Sequence, residues 1–176
     1  MKIDEFFERL DQIHALFIDT CTAYLLLSQK LDELYKNDES AISFASGTPE
    51  SFIVRQTVKV GDYKQRIKIP EQNINTLTSL CIVAIYQLWE DEFRGPISEE
   101  WGVERNDLTL DILGDIRLLR NCIVHQKGKK SADFAKFKKL NYMKDRENVI
   151  LSDTEFHDLI EEIKKDMTDY KNNLNH

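Results

Sequence analysis

The 176-residue sequence has little glycine and proline, with six and three residues, where the two together supply roughly 12% of an average protein. Few positions can therefore form the tight turns on which a β-sandwich or β-barrel depends, whereas long helices do not need them. Hydrophobic residues make up 41% of the chain and charged residues 31%, which excludes a wholly disordered protein. We expect one compact helical domain.

The sequence also lacks a long hydrophobic segment. The longest uninterrupted apolar run is Leu80–Tyr86, far short of the roughly 20 residues that cross a bilayer. The first residues are acidic, whereas an export signal begins with basic residues followed by an apolar core. We therefore expect no membrane partner and a cytoplasmic location.

Cysteine is scarce as well. Cys21, Cys81 and Cys122 are odd in number, widely spaced and set in apolar helical patterns, which is typical of small core residues in a reducing compartment. The four histidines lie in different segments, and none has ligands at the spacing of a metal site. Phosphate-binding glycine loops are missing too. We expect no metal and no cofactor.

Apolar residues that recur every three or four positions predict four substantial helices. These run from Phe6 to Tyr35, from Pro70 to a stop at Gly95-Pro96, from a cap at Asn106-Asp107 to just before Gly128, and onward from the capping box Ser152-Asp153-Thr154-Glu155.

Two segments rich in β-branched and aromatic residues, Phe52–Val60 and Tyr63–Ile69, flank Gly61-Asp62. This pattern predicts a β-hairpin at about 52–69, and Val149–Leu151 is predicted as a short strand able to join it. The predicted fold is all-α: an antiparallel bundle of about four to five helices with a small inserted β-hairpin, in a single domain over 1–176.

Polar residues interrupt the apolar pattern at the end of the third predicted helix, in Arg120-Asn121-Cys122-Ile123-Val124-His125. Because residues advance by about 100° along a helix, Arg120 and His125 point about 140° apart. One copy of the helix therefore does not form a tight pair of these side chains. Two copies facing each other in a dimer would bring both pairs into one cleft.

This segment resembles the motif of HEPN domains (higher eukaryotes and prokaryotes nucleotide-binding), in which an arginine, a polar residue and a histidine recur at this spacing on a helical bundle. The resemblance implies a metal-independent endoribonuclease that acts as a homodimer, of the kind found in toxin-antitoxin and other defence systems. Arg120 and His125 are then catalytic, Asn121 supports them, and an antitoxin protein is a candidate partner.

These residue types suit RNA cleavage. RNA carries its own nucleophile, the 2′-OH, so the reaction needs a proton acceptor near neutral pH and a cation to meet the charge that grows on the phosphate. Histidine and arginine supply these. We expect a 2′,3′-cyclic phosphate as the product end.

Two other functions stay open. A noncatalytic HEPN-like module would bind a nucleotide or a protein in the same groove without cutting RNA. In a purely structural bundle, Arg120 and His125 would only oppose the helix dipole at its C-terminal end.

Charge is unevenly distributed along the chain. The net charge is −7, but Lys127 to Arg146 holds eight cations and two carboxylates, a net of +6, and the remainder carries −13. We predict that Lys127, Lys129 and Lys130 bind RNA. Phe134, Phe137 and Tyr142 either stack on bases or belong to the core. A carboxylate of Glu90-Asp91-Glu92 is a candidate to orient Arg120 or His125.

Overall fold

The computed structural model describes the backbone of residues 1–48, 51–68 and 70–174, and the side chains of these residues apart from 68 and 70–72. The fold is mostly α-helical with a small inserted antiparallel β-hairpin, which confirms the predicted fold class. The chain divides into two compact units: Met1–Ile18 with Asn75–His176, and Asp19–Ile74. The assignment of both to a single domain stays a prediction.

Helix α1 spans Lys2–Leu34, close to the predicted bounds. Its buried residues include Phe6, Leu10 and Phe17, which recur at helical spacing and enter the core of the larger unit. The ring of Phe6 lies 5.6 Å from that of Trp89 and 5.2 Å from that of Phe93, measured between centroids. The predicted apolar face of this helix is therefore the one that packs.

The hairpin lies earlier in the chain than predicted. Strands β1 (Ala41–Thr48) and β2 (Ser51–Lys59) pair antiparallel. Gly47 has φ of +124°, and a Cβ added there would overlap the backbone carbonyl of Ser51. The end of β1 therefore requires glycine.

Residues 60–68 form helix α2 (Val60–Lys68), so the predicted second strand and its Gly61-Asp62 turn are wrong. Ile69 lies outside the described residues. Val60 and Ile67 are buried and Tyr63 is half-buried, a spacing of three and four residues that places them on one helical face. Gly61 also donates its backbone N–H to the carbonyl of Asp38 at 2.9 Å.

The second long helix does not stop at Gly95-Pro96, as predicted. Helix α3 (Pro70–Gln87) continues through a π-helical turn (Leu88–Phe93) into α4 (Arg94–Trp101). Pro96 is the third residue of α4, directly after the π-helical turn. The helix ends instead at Gly102, which has φ of +69°.

Helix α5 (Asp111–Gln126) begins later than the predicted cap at Asn106-Asp107. Leu110 precedes the helix and offers no side-chain oxygen to its free N–H groups. Asp166 of α6 (Asp153–Leu174) serves instead, because its carboxylate accepts the N–H of Ile112 at 3.3 Å. This capping contact joins residues that are 54 positions apart, and so a local sequence pattern does not reveal it.

Helix α6 starts at the predicted capping box. Ser152 donates its N–H to the Glu155 carboxylate at 2.9 Å, and Glu155 donates its N–H to the Ser152 hydroxyl at 3.2 Å. The strand predicted at Val149–Leu151 is wrong. Val149 only donates its N–H to the carbonyl of Gly128, beside an isolated bridge between Lys129 and Asn148.

The carboxylate of Asp115, on the buried side of α5, holds the basic segment in place. Asp115 is 2% exposed. It accepts the backbone N–H of Lys138 at 3.0 Å, of Lys139 at 2.7 Å and of Leu140 at 2.9 Å. Hydrogen bonds to a charged acceptor are worth more than neutral ones, so this one side chain ties down three consecutive residues.

We expect Asp115→Asn to lower the free energy of unfolding by about 2 kcal/mol, because an amide oxygen replaces the charged acceptor and its NH₂ faces other donors. Asp115→Ala should cost more. The control is Asp133→Asn, which removes only a surface pair with Lys136 and should cost less than about 1 kcal/mol. Urea unfolding measures all three, and equal losses for Asp115→Asn and Asp133→Asn would contradict the assignment.

Two histidines meet where α1 packs on α6. The Nδ1 atom of His157 lies 3.4 Å from the Nε2 atom of His14, with ring centroids 5.0 Å apart. Burial lowers the pKa of His14, and the positive charges of His157 and Lys164 lower it further, against the opposite effect of Asp11 and Glu161. The folded state therefore favours the neutral form of His14.

This lowered pKa predicts a loss of stability in mild acid. Above the unfolded-state pKa of 6.5, the neutral form of His14 contributes its full stabilisation of the folded protein. This stabilisation is lost as the pH falls through the lower folded-state pKa. The difference in unfolding free energy between wild type and His14→Gln should therefore shrink from pH 7 to pH 5. Chemical unfolding across this range measures it, and parallel pH curves for the two proteins would refute it.

Candidate functional site

Helix α5 buries one face and exposes the predicted motif on the other. Its buried residues are Ile112, Leu113, Asp115, Ile116, Leu118, Leu119 and Cys122. Arg120 and Asn121 are half-buried, and Val124 and His125 are exposed. The amphipathic pattern that folds the helix thus also turns the motif toward solvent.

Arg120 is held by its neighbour in the motif. Its Nη1 atom donates to the side-chain oxygen of Asn121 at 3.1 Å. Its Nε atom is buried and has no hydrogen-bond partner among the described residues. Asn121 therefore restrains the guanidinium group through its Nη1 atom.

His125 lies in the last turn of α5, where the helix ends. Lys127 adopts the left-handed conformation with φ of +55°, and Gly128 follows with φ of +75°. The N–H of Gly128 bonds to the carbonyl of Cys122 at 3.0 Å, which closes the helix as predicted. The ring of His125 is exposed and makes no hydrogen bond to any residue of the described part of the chain.

Within one chain, no hydrogen bond among the described residues joins Arg120 to His125. The two lie about 7.5 Å apart along the helix axis and about 140° apart around it. Glu90 does not orient either of them: its carboxylate accepts from Arg94 at 3.1 and 3.2 Å and from Arg105 at 3.3 Å. The candidate role for Glu90 is therefore not supported.

The basic segment separates into free and paired lysines. Lys136 bonds to Asp133, Lys138 to Asp111, and Lys139 to Glu162 and Asp166, while Arg146 pairs with Glu155. Lys127, Lys129 and Lys130 are exposed, and their ammonium groups have no ion pair within the described ranges. The three lysines predicted to bind RNA are thus available to a ligand.

The aromatic residues of this segment divide in the same way. Phe134 and Phe137 are 0% and 2% exposed, with centroids 4.9 Å apart, so they belong to the core and not to a base-stacking surface. Tyr142 is 48% exposed, and the guanidinium of Arg146 lies over its ring at 5.3 Å. Of the three, only Tyr142 presents a ring to solvent.

A groove beside helix α5 is not predicted from the sequence. It has a volume of about 380 Å³ and is lined by Tyr86, the π-helical turn, Arg94, residues 108–110, and Leu113, Gly114 and Arg117 of α5. Arg117 lies one turn before Arg120, at a spacing that places neighbours on one helix face. The spacing of Arg117 and Arg120 is the sequence feature that could have indicated this groove.

The smaller unit has a larger cavity of about 640 Å³. Its walls include Tyr24, Phe44 and Tyr63, with Phe44 and Tyr63 packed edge to face at 5.3 Å. The guanidinium of Arg66 lies 5.2 Å from the centre of the Tyr63 ring. No residue of the Arg120–His125 segment lines this cavity.

The described residues, 1–48, 51–68 and 70–174, lack a group of metal ligands and a membrane-spanning helix. Among them, no group of three or more histidine, cysteine, aspartate or glutamate side chains is placed to hold a metal ion. None of their helices combines the length and apolar character needed to cross a membrane.

The free lysines next to the motif should contribute to RNA affinity, and the paired ones should not. We expect Lys129→Gln with Lys130→Gln to lower the slope of log affinity against log salt by about 1.4, at about 0.7 for each lost contact with single-stranded RNA. The matched control, Lys136→Gln with Lys138→Gln, removes the same charge from ion-paired positions.

Both pairs are built on His125→Ala, so that the labelled single-stranded RNA of random sequence stays intact. Fluorescence anisotropy at several salt concentrations measures the slopes. The same slope for the two double variants would count against a specific role of the free lysines.

The chain matches no family model, no curated protein and no solved structure with which it was compared.

Proposed function

We propose that this chain is a metal-independent endoribonuclease of the HEPN type, acting as a homodimer in the cytoplasm as a toxin or defence effector. The observation that carries the proposal is the end of α5, where Asn121 restrains the guanidinium of Arg120 at 3.1 Å and His125 is exposed with a free ring. The RNA would enter along this face, beside the free lysines at 127, 129 and 130.

The reaction uses the RNA's own hydroxyl. His125 removes the proton of a 2′-OH, and the oxygen attacks the adjacent phosphorus. Arg120 donates hydrogen bonds to the phosphate oxygens as negative charge accumulates on them. The bond to the 5′-oxygen of the next nucleotide then breaks, and that oxygen takes a proton, which leaves a 2′,3′-cyclic phosphate and a 5′-hydroxyl.

A dimer would bring together arginine and histidine side chains that point apart in one chain. In one copy the two motif side chains point about 140° apart. A two-fold arrangement of α5 would place two arginines and two histidines along one cleft, so that one histidine takes the 2′-OH proton and the other, which enters the reaction protonated, donates its own proton to the leaving 5′-oxygen. The exposed Val124, 47% accessible beside the motif, would lie in such an interface.

We expect His125→Ala to reduce the rate of RNA cleavage by a factor of about 10² to 10⁴, the usual contribution of general acid–base catalysis. Arg120→Ala should give a loss of similar size. The matched control is Gln126→Ala, which changes the neighbouring exposed residue of the same helical turn and should cleave like wild type.

Cleavage is followed on labelled RNA, with the ends identified chemically and with 2′-O-methyl RNA as the substrate that should resist. Sedimentation of the wild-type protein reports the dimer. Cleavage that survives His125→Ala would refute the proposal, whereas wild-type protein that binds RNA or a nucleotide without cutting would identify the noncatalytic module instead.

A further inference from the structure

The groove between Tyr86 and Arg117 has the size and walls of a ligand site. Its volume of about 380 Å³ falls in the range of small-molecule pockets. Leu110, Leu113 and Gly114 supply an apolar wall. A Cβ added at Gly114 would meet nothing within 4 Å, so the surface of α5 is open there.

The charged side chains of the groove wall are those of Glu90, Arg94 and Arg117. The guanidinium of Arg94 bonds to both oxygens of the Glu90 carboxylate at 3.1 and 3.2 Å, which fixes its position and neutralises its charge. Arg117 is exposed, and none of the described residues forms an ion pair with it. The groove therefore offers one free guanidinium, suited to a phosphate group.

Tyr86 adds a hydroxyl to the same wall. The side chain is half-buried and makes no hydrogen bond to another described residue. Burial raises the pKa of this hydroxyl, with the Glu90 carboxylate adding to the rise and Arg117, Arg94 and Arg120 opposing it. A protonated phenol surrounded by guanidinium groups is a donor for a phosphate oxygen or a ribose hydroxyl.

The groove lies beside the motif along α5, although none of residues 120–125 lines it. Arg117 precedes Arg120 by three positions and Asn121 by four, and such residues are neighbours on a helix surface, about 5 to 6 Å apart between Cβ atoms. Arg120 acts electrostatically on the hydroxyl of Tyr86, which lines the groove. A strand held at Arg120 would therefore place its next nucleotide beside Arg117.

We infer that this groove is a subsite for the ribonucleotide adjacent to the cleaved bond, in which Arg117 and Tyr86 bind the neighbouring phosphate and ribose and the apolar wall contacts the base. The inference rests on the proposed function and specifies its substrate as an extended single strand. Arg117 and Tyr86 are positioning residues, because they act on the strand beside the reacting phosphate.

The main variant is Arg117→Gln. We expect KM for RNA cleavage to rise about tenfold with kcat changed less than about twofold, since the lost contact binds ground state and transition state alike. Tyr86→Phe should raise KM a few-fold. The control, Arg9→Gln, removes an exposed arginine of α1 that does not line the groove and should leave both constants unchanged.

A second variant keeps the charge intact. Gly114→Leu fills the groove at a position with open space, so the fold should persist while RNA binding weakens about tenfold. Affinity for 2′-O-methyl single-stranded RNA, measured by anisotropy, tests binding separately from cleavage. Because Arg117→Gln and Gly114→Leu are both measured, the test does not depend on a single variant.

The outcomes separate the two proposals. If wild-type protein neither cleaves nor binds RNA, the proposed function is wrong. If wild type cleaves but Arg117→Gln and Gly114→Leu both behave like Arg9→Gln, the subsite is wrong and the proposed function stands. If wild type binds RNA without cleaving it, weaker binding by Arg117→Gln and Gly114→Leu than by Arg9→Gln supports the subsite. Equal binding by all three variants refutes it.

Discussion

The carboxylate of Asp115 accepts N–H groups from three consecutive residues, 138 to 140, on the buried side of α5. Asp166 of α6 caps the start of the same helix through the N–H of Ile112. Helix α5 is thus fixed at its N-terminus and along its buried face by carboxylates that act over long sequence separations. Arg117 and His125 are exposed on this helix, and Arg120 is half-buried.

The hydrogen bonds that Asp115 accepts also determine which lysines of the basic segment lie near carboxylates. Because Asp115 brings residues 138 and 139 to α5 and α6, the ammonium groups of Lys138 and Lys139 reach Asp111 and Asp166. Both lysines are ion-paired at the surface, with side chains 67% and 35% exposed. Of the +6 that the sequence places in this segment, the part open to a ligand is concentrated at 127–130, directly after His125. The positive charge that follows His125 is thus a local feature of an otherwise acidic chain.

The predictions from the sequence succeeded where the signal was local. The period of Phe6, Leu10 and Phe17 located α1, and the Ser152 to Glu155 box located the start of α6. They failed at the hairpin, which is displaced because Val60–Lys68 packs as a helix, and at Gly95-Pro96, where the helix continues through the π-helical turn and ends at Gly102. The Arg120–His125 motif lies in one continuous stretch of sequence, whereas two separate segments, 86–94 and 108–117, line the groove.

The positions along α5 relate the groove to the motif and, under the proposed function, to a second copy of the chain. Gly114, Arg117 and Asn121 follow one another at three and four residues, so a strand bound in the groove is led toward Arg120. His125 then comes five residues beyond Arg120 and points away by about 140°. In one chain, Arg120 and His125 therefore face different directions. Under the proposed mechanism, a second α5 related by a two-fold axis would bring a histidine to the phosphate that Arg120 holds.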